Sequence, residues 1–93
     1  MKVTPDIIRE EFVGVNSCIS ESPHSNYLGI RGKVLGETRN TFVIQQQGKS
    51  KRVTKDQAVF QFQFSDGTVV EIDGKLLVGK PEDRVKKTVK RLW

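Results

Sequence analysis

The chain has 93 residues with a formal net charge of +5, and one small domain is expected at this length, with little room for a deep substrate pocket beside its core. Its single cysteine, Cys18, excludes an internal disulfide and a cysteine-based zinc site within the chain. No apolar run approaches the ~18 residues of a membrane helix and the amino terminus lacks a signal-peptide core, which predicts a soluble, cytoplasmic protein.

The first predicted element is a short helix within residues 1–11. Thr4 can cap free amide groups, Pro5 suits the first helical turn, and Asp6 favours the positive end of the helix. Its apolar contacts are Ile7, Ile8 and Phe12. Because a helix of this length is unstable on its own, it should form only by packing against other structure.

Strand patterns dominate residues 12–79. Alternating apolar residues joined by tight turns predict five or six short strands, and the clearest period-two alternation runs from Ala58 to Phe64. Gly32 stands on the apolar face between Ile30 and Val34, where a small barrel must bend its strands sharply. The pattern therefore predicts a small antiparallel barrel with a short helix at each end.

Residues 80–93 hold most of the excess charge, with six basic and two acidic side chains against ten and nine in the rest of the chain. Val85, Val89 and Leu92 fall at helical spacing, which predicts a basic helix that begins near Pro81 and is packed onto the barrel by Trp93. Concentrated positive charge favours a polyanion such as RNA or DNA. A solvated helix face that only keeps the protein soluble explains the charge equally well.

The glycine-rich stretch GIRGKVLGETRNTFVI, residues 29–44, suggests two kinds of loop that its context disfavours. A phosphate-binding loop needs a glycine five residues before Gly48-Lys49, but Val43 stands there and no helix follows. A GxxG loop of the KH type joins two helices, whereas Gly29-x-x-Gly32 leads into an alternating strand. A bent strand that displays Arg31 and Lys33 outward is the better interpretation.

No catalytic constellation is visible in the sequence. His24 is the only histidine and stands in a polar loop, Cys18 has no activating partner, and Glu71 with Asp73 fits a solvated strand face. The phenylalanines at positions 60, 62 and 64 share one predicted core face, so few aromatic side chains remain for stacking on single-stranded bases. Contacts with the backbone and shape of a folded RNA are the better prediction.

Three stretches, GIRGKVLGETRNTFVI, AVFQF and VEIDGKLLVGKPEDRVKK, closely resemble the ribonuclease P protein component 1 family of archaea, which has a counterpart among the eukaryotic ribonuclease P and MRP proteins. The resemblance covers roughly residues 9–90. Its most specific parts are Gly29-x-x-Gly32 with Glu37-Thr38-x-Asn40-Thr41, and Gly79-x-Pro81-Glu82-Asp83-Arg84. It implies a mostly β fold: a six-stranded, strongly bent antiparallel Sm-like barrel over residues 12–79, with a helical segment over 1–11 and a basic helix over 80–93.

The resemblance also implies a function. Family members are non-catalytic subunits of the ribonucleoprotein that removes the 5′ leader from precursor tRNA, and the RNA subunit carries the magnesium-dependent chemistry. The protein is expected to bind and stabilise the specificity domain of that RNA. It is also expected to form a heterodimer with a zinc-ribbon subunit and to contact other holoenzyme proteins, while precursor tRNA is contacted only indirectly. No cofactor, metal site or membrane contact is expected for this chain.

The residues predicted to contact RNA are mostly basic: Arg31, Lys33, Arg39, Asn40, Lys80, Arg84, Lys87, Lys90 and Arg91. A structural ion pair is a competing role for Arg84. The residues predicted to bind the protein partner are Ile7, Ile8, Phe12, Val85 and Val89. Two alternatives stay open: a generic small-barrel RNA- or protein-interaction module not tied to tRNA processing, and an enzyme in its own right.

Overall fold

The computed structural model describes residues 1–92, which form one antiparallel six-stranded sheet and a few short helical turns. The strands are β1 (Asn16–Glu21), β2 (Arg31–Glu37), β3 (Thr41–Gln46), β4 (Lys49–Thr54), β5 (Val59–Gln63) and β6 (Val69–Asp73). Three 3-10 turns span Pro5–Arg9, Lys55–Gln57 and Gly74–Leu77, and a single α-helical turn, α1, spans Pro81–Arg84. The prediction of a mostly β fold with six antiparallel strands and short helical ends is confirmed.

The sheet has the spatial order β4-β3-β2-β1-β5-β6 and does not close on itself. Within the described part of the chain β4 and β6 form its two edges and do not pair, so the closed barrel expected from the family is not confirmed. Exposed basic residues line the β4 edge, among them Lys49, Lys51 and Arg52. Charged side chains of this kind discourage another strand from pairing with a free edge.

Gly32 allows the bend that was predicted for β2. Its φ is +153°, and a Cβ atom there would lie 1.7 Å from the carbonyl oxygen of Gln45 in β3. Only glycine tolerates both this backbone conformation and such a close approach of the neighbouring strand. A bulge between Val34 and Gly36 adds to the bend, because an extra residue on one strand turns the sheet locally.

The amino-terminal segment fills the core on the inner side of the sheet. Ile8 and Phe12 are completely buried, Ile7 is nearly so, and the Phe12 ring stacks on Phe62 with centroids 4.4 Å apart. Ile7, Ile8 and Phe12 therefore pack into the chain's own core in this structure, and their contact with a protein partner stays a prediction. A chain of this length gains too little from its sheet alone, and it buries these large side chains in its own core instead.

The carboxy-terminal segment forms much less helix than predicted. Helix α1 ends at Arg84, whereas a helix over residues 80–93 was expected. The backbone beyond it bonds elsewhere: the Lys87 carbonyl accepts a hydrogen bond from Arg9 Nε, and the Leu92 carbonyl accepts one from the Asp73 N–H at the end of β6. These contacts, with burial of Leu92, favour an irregular path over a continued helix. Trp93 lies outside the described residues, so its packing stays a prediction.

Candidate nucleic-acid interface and its buried support

A buried cluster of three charged side chains lies between the sheet and the terminal segments. Glu37 at the end of β2, Lys55 after β4 and Arg84 at the end of α1 have side chains that are 2%, 0% and 1% exposed. Lys55 Nζ donates to Glu37 Oε2 at 2.6 Å, and Arg84 Nη1 donates to the same oxygen. We call these three residues the buried charge cluster.

The remaining donors of the cluster bond to backbone carbonyls of three separate segments. Arg84 donates to Ile8, Glu10, Leu77 and Gly79, and Lys55 donates to Thr38, Arg39 and Gly79. No buried side-chain nitrogen or oxygen within residues 1–92 lacks a hydrogen-bond partner. The cluster thus fixes the amino-terminal segment, the turn after β2 and the loop before α1 relative to one another.

The charges of the cluster do not balance, because two cations share one carboxylate. Burial lowers the pKa of the Lys55 ammonium below its ordinary value, and the nearby charges of Arg84 and Lys87 lower that pKa further. The hydrogen bond and charge of Glu37 oppose this effect. Glu37 is therefore the residue on which the burial of both cations depends.

Arg84 was predicted to contact RNA, with a structural ion pair as the competing role. Its guanidinium group is buried, and its donors are used within the chain, so the competing role as a structural ion pair is the one observed. Lys87, also predicted to contact RNA, is half-buried and donates from Nζ to the Leu76 carbonyl at 3.1 Å. Sequence reasoning missed Lys55 entirely, because a lysine that follows three exposed basic residues looks like surface.

The cluster brings three of the predicted RNA-contacting residues together at the surface. The Gly79 N–H donates to the Arg39 carbonyl at 2.7 Å, and this bond places the turn that carries Arg39 and Asn40 beside the loop that carries Lys80. All three side chains are exposed. We call Arg39, Asn40 and Lys80 the loop surface, and it stands directly on the buried charge cluster.

Arg31 and Lys33 lie on a different surface, the outward face of β2. Lys33 stands opposite Asn16 of β1 and Gln45 of β3, and Arg31 stands opposite Cys18 of β1. Both basic side chains are exposed, as predicted. We call this side of the sheet the outer sheet face.

Lys90 and Arg91 are exposed next to Leu92, whose carbonyl is bonded to the end of β6. Of the residues predicted to bind a partner, Val85 stays 52% exposed, while Val89 is partly buried against the core. The predicted sites are therefore spread over the loop surface, the outer sheet face and the carboxy-terminal segment.

Most exposed cations have no carboxylate partner within residues 1–92. Within residues 1–92, the ion pairs join Lys55 and Arg84 to Glu37, Arg9 to Asp6, and the Met1 amino group to Asp66. Six of the predicted RNA-contacting residues are exposed cations outside these pairs: Arg31, Lys33, Arg39, Lys80, Lys90 and Arg91. Over the same residues, no cluster of acidic, histidine and cysteine side chains is arranged to hold a metal ion, and no helix is long and apolar enough to cross a membrane.

Fold and surface together define a small, basic β-sheet protein with a buried Glu–Lys–Arg cluster and with surface cations that have no carboxylate partner in the described part of the chain. The chain belongs to the ribonuclease P/MRP subunit p29 family, whose model matches residues 5–87. It is a ribonuclease P protein subunit, and the family membership inferred from its motifs is confirmed.

Relatives of similar length support this assignment. Ribonuclease P protein component 1 of Methanococcus vannielii is 42% identical, over 100% of this chain and 98% of that protein. The protein of the same name from Methanocaldococcus jannaschii is 45% identical over 98% of this chain and 97% of its own length. The solved structure of Mth11, a homologue of human RNase P protein Rpp29, matches with a TM-score of 0.61 and 43% identity, over 80% of this chain and 96% of that one.

Proposed function

We propose that this chain is a non-catalytic, RNA-binding subunit of ribonuclease P that binds and stabilises the specificity domain of the catalytic RNA, in the cytoplasm. The observation that carries the proposal is the set of exposed cations that have no carboxylate partner among residues 1–92, on the loop surface, the outer sheet face and the carboxy-terminal segment. Such cations can neutralise phosphates and release their counterions. In this proposal the magnesium-dependent cleavage of precursor tRNA belongs to the RNA subunit, and this chain binds no cofactor.

The buried charge cluster supports the proposal through the loop surface. Arg39 and Lys80 belong to segments whose backbone carbonyls bond to Lys55 and Arg84, so the positions of their backbones are set before RNA arrives. Preorganised cations lose less conformational entropy on binding than cations on mobile loops. The cluster therefore acts behind the interface, and the loop surface acts at it.

We also propose a heterodimer with the zinc-ribbon subunit of the same particle. Val85 is the predicted partner residue that remains exposed, and it precedes by two residues Lys87, whose carbonyl accepts a hydrogen bond from Arg9. A partner that covers Val85 would bind an apolar side chain that the chain leaves exposed. The other holoenzyme proteins and precursor tRNA are indirect contacts in this scheme.

Reconstituted cleavage of precursor tRNA tests the proposed function. The particle assembled with an Arg39→Gln, Lys80→Gln variant should cleave more slowly than the wild-type particle at low magnesium, because two phosphate contacts are lost. High magnesium should restore the rate by screening the RNA. A Lys49→Gln, Lys51→Gln variant removes the same charge from the β4 edge and serves as the matched control. Equal cleavage by all three particles at low magnesium would contradict the proposed function.

A salt titration gives a second readout. If the six exposed cations each neutralise a phosphate, the log–log slope of RNA affinity against salt should be on the order of −4 to −5. A nearly flat titration would contradict the electrostatic contact. Tight binding to an acidic protein with no preference for structured RNA would instead support a generic interaction module.

A further inference from the structure

The outer sheet face presents polar side chains in one line across five strands. Five residues stand opposite one another in the strand register, in the order Gln63, Asn16, Lys33, Gln45 and Ser50. All five are exposed. Because neighbouring strands lie about 4.8 Å apart, the three steps from Gln63 to Gln45 span roughly 15 Å. We call these five residues the amide row.

A second row lies beside it and is also polar. Gln61, Cys18 and Arg31 stand opposite one another on β5, β1 and β2, and Glu71 continues this row on β6. The Cys18 thiol donates to Gln61 Oε1 at 3.4 Å. A shallow cavity of about 380 Å³ lies between the rows and is lined by residues of both, including Asn16, Gln63 and Arg31.

The amide row has hydrogen-bonding groups that nothing in the described chain uses. Within residues 1–92, the side chains of Asn16, Lys33, Gln45 and Gln63 make no hydrogen bond to another protein group. Each carboxamide offers two donors and one acceptor oxygen. No aromatic residue stands in either row, and Glu71, at the β6 end of the second row, is their only carboxylate.

We propose that the amide row binds the minor groove of an A-form RNA helix. The proposal rests on the proposed function and names the RNA feature that this face recognises. The A-form minor groove is wide and shallow and displays 2′-hydroxyls, which both donate and accept hydrogen bonds. Carboxamides match that chemistry, and Arg31 with Lys33, two residues apart on β2, supplies positive charge for the flanking phosphates.

Other occupants fit this face less well. Single-stranded RNA is bound chiefly by aromatic stacking, and both rows lack aromatic side chains. The centre of a protein interface is usually apolar or aromatic, whereas exposed apolar side chains here, such as Leu35 and Val69, stand outside the amide row or at its end. A double-helical segment of RNA is therefore the occupant that the charges and amides favour.

The test compares an amide variant, Asn16→Ala with Gln45→Ala and Gln63→Ala, to a control, Ser25→Ala with Asn26→Ala, which removes exposed polar groups from the β1–β2 loop. Full-length protein is titrated with an RNA duplex, with a DNA duplex of the same sequence, and with the cognate ribonuclease P RNA. The amide variant should bind both RNAs about 10- to 100-fold more weakly than wild type, and should lose the wild-type preference for RNA over DNA.

The salt slope separates this role from simple charge. An uncharged carboxamide displaces no counterions when it binds RNA, so the amide variant should keep the wild-type salt slope. The Arg31→Gln, Lys33→Gln variant loses two cations and should reduce the magnitude of the slope by about 1.4 to 1.8. Equal binding by the amide variant and the control would overturn the amide-row proposal and leave the proposed function intact. The amide-row proposal would also be overturned if single-stranded RNA competed for the protein as well as the duplex does. It would be overturned too if the amide variant were defective only in binding another protein subunit. Failure of the wild-type chain to bind the cognate RNA would instead refute the proposed function.

Discussion

Glu37→Gln tests the buried charge cluster most directly. Glutamine has nearly the size of glutamate but no charge, so Lys55 and Arg84 would both stay buried without a counterion. The NH₂ group of the glutamine side chain would also point a hydrogen-bond donor towards one of these two cations. Breaking a buried ion pair by removal of one partner costs about 3–5 kcal/mol. A chain of 93 residues has a total stability of roughly 5–14 kcal/mol, so the loss is a large fraction of it.

Urea unfolding followed by circular dichroism measures the effect. With a slope of about 1.5 kcal/mol/M, the midpoint should fall by roughly 2–3 M in Glu37→Gln. Glu11→Gln removes an exposed carboxylate near the same segment and should leave the midpoint almost unchanged.

A double variant makes the reasoning refutable. Lys55→Met in the Glu37→Gln background removes one of the two uncompensated cations, and this double variant should be more stable than Glu37→Gln alone. If Glu37→Gln unfolds at the same urea concentration as Glu11→Gln, or if Lys55→Met only adds to the damage, the cluster does not stabilise the fold through its charge balance.

Two further predictions concern the bend and the buried lysine. Gly32→Ala should destabilise the fold by about 3 kcal/mol or more, because the new Cβ would overlap the Gln45 carbonyl. The control is Gly36→Ala in the same strand, whose Cβ meets no atom within 4 Å and which should change the urea midpoint little. Similar urea midpoints for the two variants would contradict the role of Gly32. The lowered pKa of Lys55 means that the folded state binds this proton less tightly than the unfolded state, whose pKa is near 10.5. Wild-type stability should therefore rise relative to Lys55→Met as pH increases through the folded pKa towards 10.5, and a constant difference in urea midpoint across that range would contradict the shift.

Patterns local in sequence predicted the sheet well. The alternation around Phe60 and Phe62 identified two core residues, and the position of Gly32 between apolar neighbours identified the bend. Period-two burial and glycine conformation depend on adjacent residues and on the nearest strand, so a single sequence is enough to detect them. The same alternation places Gln61 and Gln63 on the opposite side of β5, which is the outer sheet face.

Long-range contacts explain what the sequence did not reveal. Arg84 reaches Glu37 across 47 residues and Ile8 across 76, and no local pattern marks a lysine or arginine that will be buried by such contacts. The helix predicted over residues 80–93 failed for the same reason. Its apolar spacing was real, but hydrogen bonds from Arg9 and Asp73 hold the backbone in another path.

The buried charge cluster has a consequence for the order in which the chain folds. Glu37 and Lys55 are synthesised well before Arg84, and Arg84 is the residue that binds the carbonyls of Ile8 and Glu10. Strands β1, β2, β3 and β4 can pair with their neighbours while the chain is still being synthesised. The amino-terminal segment cannot form its hydrogen bonds with Arg84 until that residue has left the ribosome. Until then the carbonyls of Ile8 and Glu10 lack the hydrogen bonds that Arg84 donates to them. The amino-terminal segment is therefore held over the core only after the segment that carries Arg84 has been synthesised.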